Sequence, residues 1–233
     1  MRIPLLSVGL SLAGTPLLEM RNLACERDEH FLFAGLNASL FAGQITQVLG
    51  PNGSGKTTLL RILAGVSQDF HGDILWSGKS IASSRWDYAN DVVYVGHLPG
   101  IKRSLTPLEN LRWYAAAQGV EDDKVLEAAL NSVKLSGYED TPCYRLSAGQ
   151  LRRVALARLE FSRAGIWILD EPFTALDKSG VKHLEARLAA HAESGGLVIV
   201  TSHQDINIAT LNTLDLQDFP ADSFVKPQDV AYV

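Results

Sequence analysis

With 233 residues, 46% of them hydrophobic, the chain can bury one substantial core or two small lobes, and no window holds the roughly 18 apolar residues of a membrane-crossing helix. A formal charge of -5 lacks the basic footprint by which proteins hold nucleic acid or anionic lipid, so no nucleic-acid partner is expected. Cys25 and Cys143 are too few and too isolated for a disulfide framework or a zinc site, which points to a reduced, cytosolic compartment.

The chain begins MRIPLLSVGLSLAGT, with one arginine, an apolar middle and a small-residue end, a faint likeness to a short signal peptide. Pro4 and Gly9 interrupt it, and the expectation is a disordered extension over 1–16 or a start codon assigned too early. Apolar runs predict strands near 17–24, 45–49, 73–76, 92–95, 166–170 and 197–202, and helices at 57–65, 107–118, 122–134, 148–163 and 179–192. Runs such as IWIL and LVIV are apolar throughout and alternate with helices, the pattern of an α/β fold whose largely parallel sheet is covered on both faces. A ligand of such a sheet sits at the carboxyl ends of its strands. The region from about 98 to 145 carries helices and no strand, so a helical lobe, about 98–163 with the helix that follows, is expected to be inserted into the core of one domain spanning 17–205. Residues 206–233, including DINIATLNTLDLQDFPADSF, fit either one more strand or a trailing end.

Four segments carry chemistry. In GPNGSGKTTLL, Gly50, Gly53 and Gly55 allow positive φ, so successive N–H groups can point into one concavity at the positive end of the helix that follows. The spacing G-x-x-x-x-G-K-[ST] is met by Gly50, Gly55, Lys56 and Thr57, with Pro51, Asn52 and Ser54 completing the loop and Thr58 the helix start. Lys56 can then reach β- and γ-phosphates, and the Thr57 hydroxyl can ligate Mg²⁺. IWILDE ends an apolar strand in two carboxylates, Asp170 for the metal and Glu171 to orient and deprotonate the attacking water.

LSAGQ precedes a helix with an apolar stripe of Leu151, Val154, Ala155 and Leu159; Ser147 is a good N-cap and Gly149 permits close approach. The arginines that follow, Arg152, Arg153, Arg158 and Arg163, are expected on a solvated helix face. LVIVTSHQ places His203 just past a buried strand, where it can donate to a γ-phosphate.

Taken in order, these segments resemble the nucleotide-binding domain of ABC transporters over about residues 17–205. GPNGSGKT looks like the Walker A motif, LSAGQ the signature, ILDE the Walker B, Ala175-Leu176-Asp177 the D-loop and His203 the switch histidine. The resemblance implies a P-loop NTPase core of ABC ATPase type with an inserted helical lobe and an antiparallel β subdomain, binding ATP and Mg²⁺. It also implies a head-to-tail dimer in which Ser147, Ala148, Gly149 and Gln150 contact ATP held by the partner, with Asp177 at the interface.

Two positions depart from the family's pattern. His97, in VVYVGHLPGIK, stands where a glutamine normally senses Mg²⁺ and the membrane partner; Arg27, in CERDEH, stands where an aromatic usually stacks on adenine. A guanidinium plane can also stack on a base. These departures, with LTPLENL, LSAGQLRRVALARL and WILDEPFTALD, resemble the ATP-binding subunits of cytochrome c maturation transporters, the haem exporters. That likeness implies an integral membrane permease partner engaged by the helical lobe at the cytoplasmic face of the inner membrane. The work done there would be haem export or release of a haem-loaded chaperone. No direct haem site is evident, since C-x-x-C-H is absent. The alternatives are the ATPase of another exporter, for drug, lipid or polysaccharide, or a soluble ABC ATPase acting on ribosomes or DNA. The latter usually has two linked nucleotide domains or a long coiled coil.

Overall fold

The computed structural model describes residues 14–27 and 30–221, so the stretch with the signal-peptide likeness lies almost wholly outside the described residues. The elements are β1 (Leu18–Arg27), β2 (His30–Leu40), β3 (Ile45–Leu49), α1 (Lys56–Leu63), β4 (His71–Trp76), β5 (Lys79–Ser80), α2 (Arg85–Asn90) and β6 (Val92–Val95). They continue with α3 (Pro107–Ala116), α4 (Asp123–Ser132), α5 (Ala148–Phe161), β7 (Ile166–Leu169), α6 (Lys178–Glu193), β8 (Leu197–Val200) and β9 (Leu211–Asp215).

The apolar strands do what continuous hydrophobic runs dictate. In β7 and β8 every residue is buried, because the sheet they share is covered on both faces. That sheet has the order β6-β7-β8-β3-β9 and is parallel throughout, with Trp167 opposite Val198 and Gln47 opposite both Val200 and Thr213. The second sheet, β2-β1-β4-β5, is antiparallel. The β2 strand was not among the predicted elements, and the open question about the chain after 205 is answered by β9, which pairs with β3 at the edge of the parallel sheet.

Three apolar clusters hold these layers together. One lies between the two sheets and α1, built on Leu18, Leu36, Val48, Leu59, Ile74, Ile168 and Ile199. A second, on the other face of the parallel sheet, joins Val95, Trp167 and Val198 to Leu159 of α5 and Leu188 of α6. The third fills the helical lobe with Leu111, Leu126, Leu130, Val154 and Phe161. Fully burying such side chains contributes roughly 1.5–3 kcal/mol each before conformational entropy is subtracted.

The lobe begins with a capping box, in which Thr106 accepts from the Glu109 N–H while the Glu109 carboxylate accepts from the Thr106 N–H, and Pro107 sits at the first helical position. Buried Asn110 then ties the preceding loop to α3, accepting from the Lys102 N–H and donating to the Lys102 and Thr106 carbonyls. The loop after β6, which carries His97, is thus held from its far end.

Helix α5 supplies Ala155, Leu156 and Leu159 to the second cluster and Val154, Ala157 and Phe161 to the third, so it is buried on two sides. This corrects the solvated-face expectation for its arginines. Arg152 is only 3% exposed. Arg158 lies over the Tyr114 ring at 3.7 Å and donates to the Tyr94 carbonyl. Burial lowers the pKa of both guanidinium groups. Arg153 pairs with Asp177 at 2.9 Å, and Arg163 alone of the four is exposed.

Candidate nucleotide-binding site

The loop between β3 and α1 is shaped by glycines at positive φ: Gly50 at 140°, Gly53 at 85° and Gly55 at 96°. A side chain at Gly50 would meet Ser54 Oγ at 2.6 Å, and one at Gly55 would press on Phe33, so here glycine is a requirement of space as well as of conformation. Gly55 caps α1, whose first residues are Lys56, Thr57 and Thr58. Lys56 Nζ donates to the carbonyls of Gly50 (2.6 Å) and Pro51 (3.0 Å), which folds the ammonium back over the loop it would share with a phosphate.

At the carboxyl end of β7, Asp170 is 1% exposed and has both oxygens engaged. Thr57 Oγ1 donates to Oδ2 at 2.9 Å and Thr201 Oγ1 donates to Oδ1 at 2.7 Å. The hydroxyl of Thr201 in turn accepts from the Glu171 N–H at 2.9 Å. The end of β8 therefore fixes both carboxylate-bearing residues at the end of β7. Glu171 takes φ of +50°, a left-handed conformation that a non-glycine residue holds only where its surroundings impose it. Its Oε2 accepts from the His203 N–H at 3.1 Å; Oε1 is buried without a hydrogen bond, the His203 ring lying 3.6 Å away.

These groups meet in one cleft of about 600 Å³. Of the residues expected from sequence, Arg27, Asn52, Gly53, Gly55, Lys56, Thr57, Thr58, His97, Asp170, Glu171 and His203 line it; Leu32 and Thr174 line it too. Gly50, Pro51 and Ser54 shape the loop behind it without lining it.

The signature residues are elsewhere. Ser147, Ala148, Gly149 and Gln150 do not line the cleft of their own chain, and neither does Asp177. Ser147 caps α5 with a reciprocal box, its hydroxyl accepting from the Gln150 N–H while Gln150 Oε1 accepts from the Ser147 N–H. Gly149 is required by the chain's own packing, because an added Cβ would meet the Ala175 carbonyl at 2.8 Å. Asp177 caps α6 through Gly180, and that backbone N–H, with Ser179 and Arg153 nearby, holds its carboxyl below the usual carboxylate range.

A cradle of backbone N–H groups joined to a threonine hydroxyl and a carboxylate pair, at the ends of parallel strands, makes this a P-loop nucleoside triphosphatase. Within that class, the sequence model of the ABC transporter family matches residues 33–174, and the chain belongs to that family; it is an ATP-binding ATPase. It is 52% identical over 209 residues to the cytochrome c biogenesis ATP-binding export protein CcmA of Saccharophagus degradans, covering 86% of this chain and 93% of the relative. Against the protein of the same name from Vibrio cholerae the identity is 52% over 191 residues, covering 82% and 92%. Among solved structures, the fold matches an ATP-binding ABC transporter protein of Pyrococcus furiosus, with a TM-score of 0.75 at 24% identity over 87% of this chain and 98% of the other. A dimeric ATP-binding cassette bound to ADP and Pi gives 0.74 at 23% identity over 85% and 94%.

Arg152 is the residue that motif reading missed. Its guanidinium donates to the carbonyls of Gly96 and Asp170, both at 2.7 Å, to that of Glu171, and at 3.4 Å to those of His97 and Pro172. No local signal marks it, because its acceptors lie in two segments distant along the chain.

Proposed function

We propose that this chain is the ATP-hydrolysing subunit of an exporter complex for cytochrome c biogenesis, working as a head-to-tail pair beneath an integral membrane subunit. The observation that carries the catalytic half is the convergence of Lys56, Thr57, Asp170, Glu171 and His203 on one cleft. The identity to proteins named for cytochrome c biogenesis export, over most of both chains, carries the physiological half.

In this reading, residues Gly50 to Thr58 cradle the phosphates, Lys56 leaving its two carbonyls for the β- and γ-oxygens. Arg27 stacks on the base from the rim of the cleft. Among the described residues, no cluster of three or more His, Cys, Asp or Glu side chains could hold a metal by itself. Mg²⁺ would thus take most of its ligands from phosphate and water, with Thr57 Oγ1 as direct ligand and Asp170 behind it, a hard-oxygen set that fits the ion. Bound there, it would neutralise charge developing on the phosphates. Glu171 orients and deprotonates the attacking water, His203 donates to the γ-phosphate, and His97, lining the same cleft from the loop after β6, would help hold the water and the ion.

The site as drawn by one chain lacks a wall. Ser147, Ala148, Gly149 and Gln150 of a second copy would close it, which accounts for exposed small residues at a helix N-terminus that serves no ligand of its own chain. Asp177 would lie at the same interface. The helical lobe would receive the membrane subunit, since among the described residues no helix is long and apolar enough to cross a membrane. The complex would act at the cytoplasmic face of the inner membrane, in export of haem or release of a haem-loaded chaperone.

The test is complementation. In a strain lacking the gene, the wild-type copy is expected to restore covalently haem-bound c-type cytochromes and the Glu171→Gln copy is not. Normal c-type cytochromes in the deletion strain would remove cytochrome c maturation from the proposal and leave the ATPase without assigned cargo.

A further inference from the structure

The geometry points to Arg152 as the positioning residue that ties the signature helix of each chain to that chain's own hydrolytic turn. The inference rests on the reading of Glu171 as the base.

Three features meet at this side chain. The first is position: Arg152 lies five residues beyond Ser147, on the helix whose N-terminus is the proposed contact to a partner's nucleotide. The second is what it binds. All of its acceptors are main-chain carbonyls in two groups: Gly96 and His97 in the loop that carries His97 into the cleft, and Asp170, Glu171 and Pro172 in the turn that carries the two carboxylates. A guanidinium presents five N–H donors in a rigid fork, so one group can span both segments.

The third is strain. Glu171 sits at φ of +50°, and its carbonyl is fastened by Arg152 while its N–H is fastened by Thr201. Left-handed conformations of this kind persist where neighbours over-determine them. Release of one fastening lets the turn relax and moves the carboxylate relative to the water it must hold. The charge itself is in place for other reasons: the residue is only 3% exposed, and Asp170 and Glu171 offset the desolvation that burial imposes. A residue kept for folding alone would not need to address the two segments that supply His97 and Glu171.

A shift of α5, as when its N-terminus meets an anion, would be transmitted through Arg152 to Glu171 and His97 of the same chain. No contact between the two nucleotide sites is needed beyond this helix.

The experiment is a kinetic cycle on the full-length protein in its complex, with Arg152→Gln, Arg152→Lys, Glu171→Gln and the double variant Arg152→Gln/Glu171→Gln. Nucleotide affinity is followed by fluorescent ATP titration, kcat by phosphate release, and folding by thermal melts. Arg152→Gln is expected to lose at least about tenfold in kcat with nucleotide affinity within about twofold of wild type. Arg152→Lys, a point charge without the fork, is expected to fold as wild type and to recover less than half of that loss. In the Glu171→Gln background, Arg152→Gln is expected to add nothing, the non-additivity of residues that act through one another. Additive losses, or a kcat that falls only in step with the melting temperature, would overturn the positioning role while leaving Glu171 as base. Wild-type hydrolysis by Glu171→Gln alone would instead bring down the base assignment, and the coupling with it.

Discussion

Two polar ends of the molecule are built in opposite ways. At the Walker B turn Asp170 and Glu171 are wired to neighbours on three elements: the Asp170 carboxylate to Thr57 on α1 and Thr201 at the end of β8, and the main-chain carbonyls of both residues to Arg152 on α5. At the signature Ser147 and Ala148 are exposed, and the side-chain bonds run only from Ser147 to Gln150 and back. The first arrangement makes geometry hard to change; the second keeps a helix end intact and leaves its outer face open to the partner-bound ligand proposed above. Catalysis depends on atoms held within tenths of an ångström, whereas recognition across an interface needs a surface that stays folded alone and stays available.

The contrast can be broken from either side. The largest effect is expected at the wired end: Glu171→Gln should cost about 10²-fold or more in hydrolysis while ATP binding persists and an ATP-bound dimer accumulates, seen by phosphate release and size-exclusion chromatography. Lys56→Ala, by contrast, should lose nucleotide binding in the same titration. At the signature the effects are smaller and partly structural. Gly149→Ala drives a Cβ against the Ala175 carbonyl and should destabilise the chain by about 1–3 kcal/mol in denaturant melts. Ser147→Ala removes the cap and should cost about 1 kcal/mol of stability, with a loss of hydrolysis in the dimer on top of it.

The smallest effect lies away from both ends. His191 is stacked on Trp167 at 3.8 Å and hydrogen-bonded to the Gly165 carbonyl, and burial lowers its pKa. Folding therefore favours the neutral ring. Its contribution is complete above the ordinary histidine value of about 6.5 and is lost as pH falls below it. Melting temperatures between pH 8 and 5 should fall less steeply for His191→Phe than for the wild type.

The legible parts of this chain were those whose local chemistry is self-contained. Continuous apolar runs marked β7 and β8 because a strand buried on both faces favours apolar residues throughout, and the glycine spacing marked the phosphate loop because backbone conformation there depends on glycine itself. The unread parts depend on a distant partner. Strand β2 mixes aromatic, small and polar residues in HFLFAGLNASL, and its pairing with β1 is interrupted by register shifts that spoil simple alternation. Strand β9 exists through its ladder with β3, about 165 positions earlier in the chain. Arg152 was hidden for the same reason: its acceptors lie 18 to 56 residues away along the chain, so nothing local separates it from its exposed neighbour Arg163.

The capping box at Ser147 has a consequence in protons. A hydroxyl owns two lone pairs and one hydrogen, and the cap spends a lone pair on the Gln150 N–H, so the hydrogen remains to be given to an incoming anion without unwinding a turn. Aspartate caps a helix equally well yet owns no hydrogen at neutral pH and carries the wrong sign. In the proposed dimer, folding and ligand capture are separable at this one position: Ser147→Asp is expected to keep the helix and to turn the partner's phosphate away, which helix content by circular dichroism and hydrolysis by phosphate release would check.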